Sequence, residues 1–477
     1  MTVLVRHGTV VSPTGQSRND VLVEGEVIAA IGTPGYFDGL LGAVEVVDAT
    51  GKYVIPGGVD AHVHMELPFG SMVSTDTYET GTRAAARGGV TTVIDMPVQR
   101  KGEHVLDCLA EWHRRADGQC AIDYAFHQII GDVTPESLAA MRTLVDHEGI
   151  TSFKLFTAYP GVYYVDDGEL LRAMQTTGEL GAVMLLHAEN GPAIDVLVRQ
   201  ALERGDTGPV HHSLTRPSPL EAEAVHRAVA LSRVAGNVPL YIVHMSSGEA
   251  LEQVAAARHH GRNVFAETCP QYLWLTLEET LTRPDGAKWI CTPPIRSRDA
   301  DPYWGGLHGH GHQADLWRGL RNDEIAVVAT DHCPFCFADQ KSAAGDFSRV
   351  PNGLGGVEHR LELMYQGVVA GELSLERWVE VCSTTPARMF GMYPQKGVLA
   401  PGSDADIVVW DPGRITHLGI DGKHHMNIDH SAWEGFVVDG GVDTVISRGT
   451  IIVRNDQYLG RAGHGRFVRR GLSNCLI

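Results

Sequence analysis

The segment DAHVH places His62 and His64 two residues apart. In an extended strand that spacing turns both imidazoles to one side, where they form a ready clamp for a metal ion. Alone the pair is a weak signal, because the same spacing recurs at His308, His310 and His312. Taken one at a time, such histidines read more plainly as core or surface imidazoles. The joint pattern is harder to dismiss. His62, His64, His187, His244 and Asp331 all fall at the C-terminal ends of short apolar runs, and Lys154 and Tyr159 share another such run. Four histidines and a carboxylate exceed the four ligands of a closed structural zinc site. They suit a pair of metals that keeps a position open for water. Lys154 breaks the pattern, since an ammonium beside two divalent cations is repelled. It either points away or is chemically changed.

Those positions imply a scaffold. Eight compact runs occupy residues 54–64, 91–97, 122–130, 152–159, 183–190, 240–247, 263–270 and 325–335. Each is nearly all apolar until its C-terminal end, as expected of parallel strands buried on both faces. Helical patterns such as DDGELLRAMQTTGEL lie between them and are long enough for right-handed crossovers. Eight strand–helix units predict a (β/α)8 TIM barrel, whose chemistry sits at the C-terminal strand ends. The first 50 and last 80 residues instead read as short strands with turns. The expected division is therefore 1–54 and 390–477 as two parts of a smaller β-sandwich domain with a tail, flanking a catalytic barrel over 55–389.

Composition narrows the partners. The 477 residues carry 39 basic and 58 acidic side chains, a net charge of −19. That balance argues against nucleic acid and anionic membranes, which demand clustered Lys and Arg. No apolar run is long enough to span a bilayer. Eight cysteines in a chain of this length are no disulfide scaffold. With no signal-peptide core at the N-terminus, the cytoplasm is the expected compartment.

DAHVHMELPFG, SFKLFTAY, LLHAEN, YIVHMSS, ETCPQYLWL, ATDHCPF and DFSRVPNGLGGVE follow one another in order, and with the segments at 383–412 and 424–435 the likeness runs from about residue 3 to residue 470. Together they resemble the dihydropyrimidinase and D-hydantoinase branch of the amidohydrolase superfamily. The resemblance implies two zinc ions, one bound by His62, His64 and Asp331 and the other by His187 and His244. It further implies that Lys154 is N-carboxylated and bridges both ions, which resolves its charge, and that a bridging hydroxide is the nucleophile. On that pattern Tyr159 stabilises the developing oxyanion and Asp331 carries the proton to the leaving ring nitrogen. The product would be an N-carbamoyl amino acid. Main-chain groups at Thr292 and Asn352 would hold the ring amide, with Thr292 standing where relatives usually carry Ser. Leu67, Phe69 and Phe156 would line the pocket for the ring substituent. A homotetramer, or a dimer, is the assembly the resemblance implies.

Three competing functions share this barrel. Dihydroorotases typically have Arg two residues after HxH, where this chain has Glu66. Allantoinases generally differ from MELPFG after the same motif. Collapsin response mediator proteins are non-catalytic and have lost metal ligands, all of which are present here. The CPFC motif at Cys333 and Cys336 is expected to pack near the site rather than to do redox chemistry. The HGHGH segment and the doublets His211–His212, His259–His260 and His424–His425 are expected at the solvated surface.

Overall fold

The computed structural model describes residues 2–298 and 311–476. Eight strands run parallel in chain order: Gly58–Asp60, Val90–Asp95, Asp123–Phe126 continued by Gln128–Ile129, Ser152–Phe156, Val183–His187, Leu240–Ile242, Val264–Thr268 and Val327–Val328. The His64 N–H donates to the His332 carbonyl at 2.8 Å, joining the end of the eighth strand to the first. The sheet is thus a closed barrel. Its strand residues are buried, as the apolar runs require.

Sequence fixes the crossover helices locally. Thr77 caps helix Tyr78–Arg87 and Asp166 caps helix Asp167–Glu179, each through a reciprocal capping box with the residue three positions on. Gly57 shows why the barrel entry is tight: a Cβ there would lie 2.1 Å from Thr91 Oγ1.

Both termini build the second unit. A four-stranded sheet is ordered Val27–Gly32, Asp20–Glu24, Thr2–Arg6, Glu45–Asp48. In a second, seven-stranded sheet the C-terminal strand Ile407–His417 pairs antiparallel with the N-terminal strand Tyr53–Pro56. Val3, Val21, Ile28, Val54, Ile407 and Ile446 share one apolar core between these elements.

The last residues do more than end the sandwich. Arg466 N–H bonds to Asp123, Val468 N–H to the Tyr124 carbonyl, and the buried Arg470 reaches the Phe126 carbonyl and Ser152 Oγ. The tail therefore lies along the third and fourth barrel strands.

A buried charge cluster joins barrel to sandwich. Lys396 Nζ sits 2.6, 2.9 and 2.7 Å from Asp123, Asp404 and Asp406, and Arg448 Nε adds a 3.0 Å bond to Asp123. Three carboxylates so close could hold a cation, but here the lysine ammonium is that cation. Replacing it with an apolar side chain leaves buried carboxylates unpaired. Lys396→Met should therefore lower unfolding stability by about 3–5 kcal/mol in a denaturant titration.

Candidate metal centre and active site

His62 is the deepest member of the cluster at the barrel mouth. Its Nδ1–H donates to Glu267 Oε1 at 2.6 Å, which fixes the tautomer and leaves Nε2 as the lone-pair nitrogen. That Nε2 lies 3.2 Å from His64 Nε2, 3.1 Å from Asp331 Oδ1 and 2.8 Å from Lys154 Nζ. The ligand atoms of His62, His64 and Asp331 all fall within 4.8 Å of one another.

His187 and His244 stand alongside. Their ring centroids are 4.5 Å apart, and His244 is 5.4 Å from His62. The His187 Nε2–H donates to Glu189 Oε2 at 2.8 Å, which leaves Nδ1 as its lone-pair nitrogen. Buried His64 Nδ1 and His244 Nδ1 have no hydrogen-bond partner among the described residues. Converging lone pairs, an ionised carboxylate and unsatisfied buried nitrogens fit one or two bound cations. Glu267 and Glu189 then supply the outer carboxylates that orient metal-binding histidines.

Electrostatics agrees for His64, His244 and Asp331, while at His62 burial is outweighed by Asp331 and Glu267, which raise it in the absence of a cation. Burial pushes His64 down to about 4 and His244 well below the usual imidazole range, so both are neutral ligands at neutral pH. Burial opposes ionisation of Asp331, but His62, His64 and His244 hold its carboxyl well below the normal range. Burial also pushes the Lys154 ammonium down to about 8, which brings the free, nucleophilic amine within reach of physiological pH. Burial, with Glu189 nearby, raises the Tyr159 phenol, while hydrogen bonds from Thr292 and Asn352 act against it. Tyr159 therefore remains a protonated donor.

Three of these residues adopt left-handed backbone: Tyr159 at φ 61°, His244 at 42° and Asp331 at 52°. Such residues cost of order 1–3 kcal/mol each unless their surroundings enforce them. For Asp331 both neighbours are pinned. Thr330 Oγ1 donates to Asp60 at 2.7 Å and His332 Nε2 to Asp76 at 3.0 Å. For His244, its own N–H bonds to Glu267 Oε1 at 3.1 Å.

Of the twelve residues singled out from the sequence, all but His62 line a single pocket at the barrel mouth, and His62 is fully buried beside them. The pocket lining mixes polar groups, Tyr159, Thr292 and Asn352 with the histidines, and apolar ones, Leu67, Phe69, Phe156 and Tyr163. Phe69 belongs to the hairpin Pro68–Phe69 with Met72–Val73, and its ring meets Phe335 edge-on at 5.8 Å.

Some expectations change. His212, expected at the surface, is 1% exposed; its helix Val210–Leu214 tucks under the 291–295 segment, where Nε2–H donates to the Cys291 carbonyl. His259 and His260 are exposed as expected. In the HGHGH segment, His308 and His310 lie outside the described residues. His312 is buried instead of solvated, because it opens helix His312–Arg321 and accepts the Gly248 N–H. Cys333 and Cys336 are free thiols, and burial raises both.

Glu267, Glu189, Asp60 and the Asp76–His332 pair were not anticipated. The signal for Glu267 was present in NVFAETCP, where a lone carboxylate interrupts an otherwise apolar strand that must be buried.

The amidohydrolase family profile matches residues 53–452. The chain is 52% identical to a D-hydantoinase of Streptomyces coelicolor, with 99% of each chain covered. It is 41% identical to a D-hydantoinase of Geobacillus stearothermophilus over 100% of this chain and 98% of that one. Among solved structures, the dihydropyrimidinase from Brevibacillus agri superimposes with a TM-score of 0.93 at 42% identity, covering 99% of both chains. The L-hydantoinase from Arthrobacter aurescens gives 0.85 at 31% identity, covering 98% of this chain and 99% of that one.

The outer carboxylates can be tested directly. Glu267→Gln keeps the volume but offers one acceptor oxygen in place of two. Zinc affinity of the metal-free protein should fall roughly 10–100-fold, measured by titration with a competing chelator.

Proposed function

Because the chain belongs to the amidohydrolase family, in its dihydropyrimidinase and D-hydantoinase branch, and is a hydrolase of carbon–nitrogen bonds in cyclic amides, we propose that it opens 5-substituted hydantoins, of the D configuration by preference, to N-carbamoyl amino acids. Dihydropyrimidines are the second substrate class. The observation that carries the reading is the convergence of His62, His64, Lys154, His187, His244 and Asp331 at a cavity lined by both polar and apolar side chains.

His62, His64 and Asp331 would hold one zinc ion and His187 and His244 the other, with N-carboxylated Lys154 as a further ligand. The metals would supply Lewis-acid polarisation and water ionised near neutral pH. The protein's own groups do the rest. Tyr159 donates its phenol proton in a hydrogen bond to the carbonyl oxygen as negative charge develops there. Asp331, held ionised, takes the proton of the attacking water and passes it to the departing ring nitrogen. Main-chain groups at Thr292 and Asn352 grip the ring amide, while Leu67, Phe69 and Phe156 receive the substituent. The extra methyl of Thr292, relative to the Ser of relatives, leaves those main-chain groups in place.

Dihydroorotase activity fits less well because Glu66 stands where an arginine would hold a substrate carboxylate, and allantoinase activity because MELPFG follows the HxH pair. A purely binding role is disfavoured by the complete ligand set. Free cysteines throughout suit a reducing compartment, and the cytoplasm is proposed on that basis. A homotetramer, or a dimer, is proposed by family likeness.

The deciding experiment measures zinc per chain and turnover on phenylhydantoin, dihydrouracil, allantoin and dihydroorotate. Preference for either of the last two overturns the substrate class. Asp331→Asn that retains metal should lose about 10²–10⁴-fold in kcat. Tyr159→Phe should lose about 10²–10³-fold.

A further inference from the structure

Lys341 is a buried cation without an anion. It ends the turn Phe337–Lys341 and is 1% exposed. Among the described residues no carboxylate forms an ion pair with it. Its three ammonium protons go to main-chain carbonyls instead: Gly353 at 2.7 Å, Ile290 at 2.9 Å and Lys288 at 3.3 Å. An ammonium has three donors and no acceptor, so this arrangement uses it fully. Burial pushes it down to about 7, a measure of how unfavourable the setting is. A buried charge of this kind is costly, and the fold gains something specific by keeping it.

The three carbonyls come from two segments of chain far apart in sequence. Between them runs one backbone bond, from Gly353 N–H to the Ile290 carbonyl at 3.0 Å. Two residues beyond Ile290 is Thr292, and one before Gly353 is Asn352. Both line the cavity together with Tyr159. Gly353 is itself pressed against the end of the eighth strand. Its φ is 153°, and a Cβ there would lie 2.1 Å from the Cys333 carbonyl oxygen. Lys288 lies in the short 3-10 helix Gly286–Trp289, while Ile290 and Gly353 are irregular, so no strand ladder sets the spacing of the two segments.

We propose that Lys341 is a positioning residue for ring recognition: its ammonium clamps the 288–290 and 353 segments together, so that Thr292 and Asn352 present their groups to the ring amide at one fixed separation. The proposal rests on the ring-opening function given above. A clamp of this kind acts on substrate binding and leaves the metal ligands alone, because it touches none of them.

The test uses the full-length zinc protein with Lys341→Met and Lys341→Gln. Met keeps the stem and removes every donor; Gln keeps two. For phenylhydantoin and dihydrouracil, Lys341→Met should raise KM about tenfold while kcat stays within about twofold. Lys341→Gln should fall between it and the wild type, and zinc per chain should match the wild type in both. A folded Lys341→Met with unchanged KM overturns the clamp. So does a loss of kcat and zinc in step with KM, which would make Lys341 a support of the fold only. If Lys341→Met does not fold, Lys341→Gln decides, and a wild-type KM in it overturns the proposal. Wild-type protein that opens neither ring sinks the ring-opening function instead. The clamp is then judged by amide hydrogen exchange at 288–292 and 352–353, which should quicken in the variants and overturns the clamp if it does not.

Discussion

A carboxylate removed from water is tolerable only when donors surround it, and the barrel mouth is organised around one that meets this condition. Glu267 accepts from the His62 ring, from the His244 main chain and from the Tyr241 hydroxyl at 2.9 Å. Those donors come from the first and sixth strands, while Glu267 itself stands on the seventh. One side chain thereby fixes which nitrogen His62 offers and where the backbone beneath His244 lies. Two halves of the candidate ligand cluster share a single reference point.

The same logic recurs at larger scale. Lys396 is to the barrel–sandwich joint what Glu267 is to the barrel mouth, a single charge answered from several directions. Lys341 repeats it with carbonyl dipoles in place of carboxylates. In each case segments distant in sequence are held by a group that has no cheaper arrangement available. The left-handed residues Tyr159, His244 and Asp331 are possible only inside such a frame, since their backbone geometry is unfavourable on its own.

Much of this was legible in the chain. Eight apolar runs ending in polar residues specify a parallel barrel, because strands buried on both faces have few other ways to read. The candidate ligand histidines and Asp331 stood out because chemistry in such barrels gathers at one set of strand ends. Supporting groups were harder to find. Asp76 looks like an ordinary surface carboxylate in sequence, and its partner His332 is brought to it by the fold; Glu189 pairs with His187 only two residues away, but nothing in the sequence says that both are buried. His212 was misread because a histidine doublet on a short helix says nothing of the loop that covers it. The C-terminal tail was assigned to the sandwich because its return to the barrel rests on isolated hydrogen bonds with no periodic pattern behind them.

The pairing of Tyr53–Pro56 with Ile407–Trp410 has a consequence for how the molecule is made. Val54 must wait for Val409, about 350 residues later in the chain. At typical synthesis rates of roughly 5–20 residues per second, that is some 20–70 s during which one edge of the N-terminal sheet has no partner. An unpaired edge of Val and Ile is what other nascent chains add to most readily. The yield of soluble protein should then be governed by crowding of unfinished copies on the ribosome, and slow, dilute synthesis favours the complete fold.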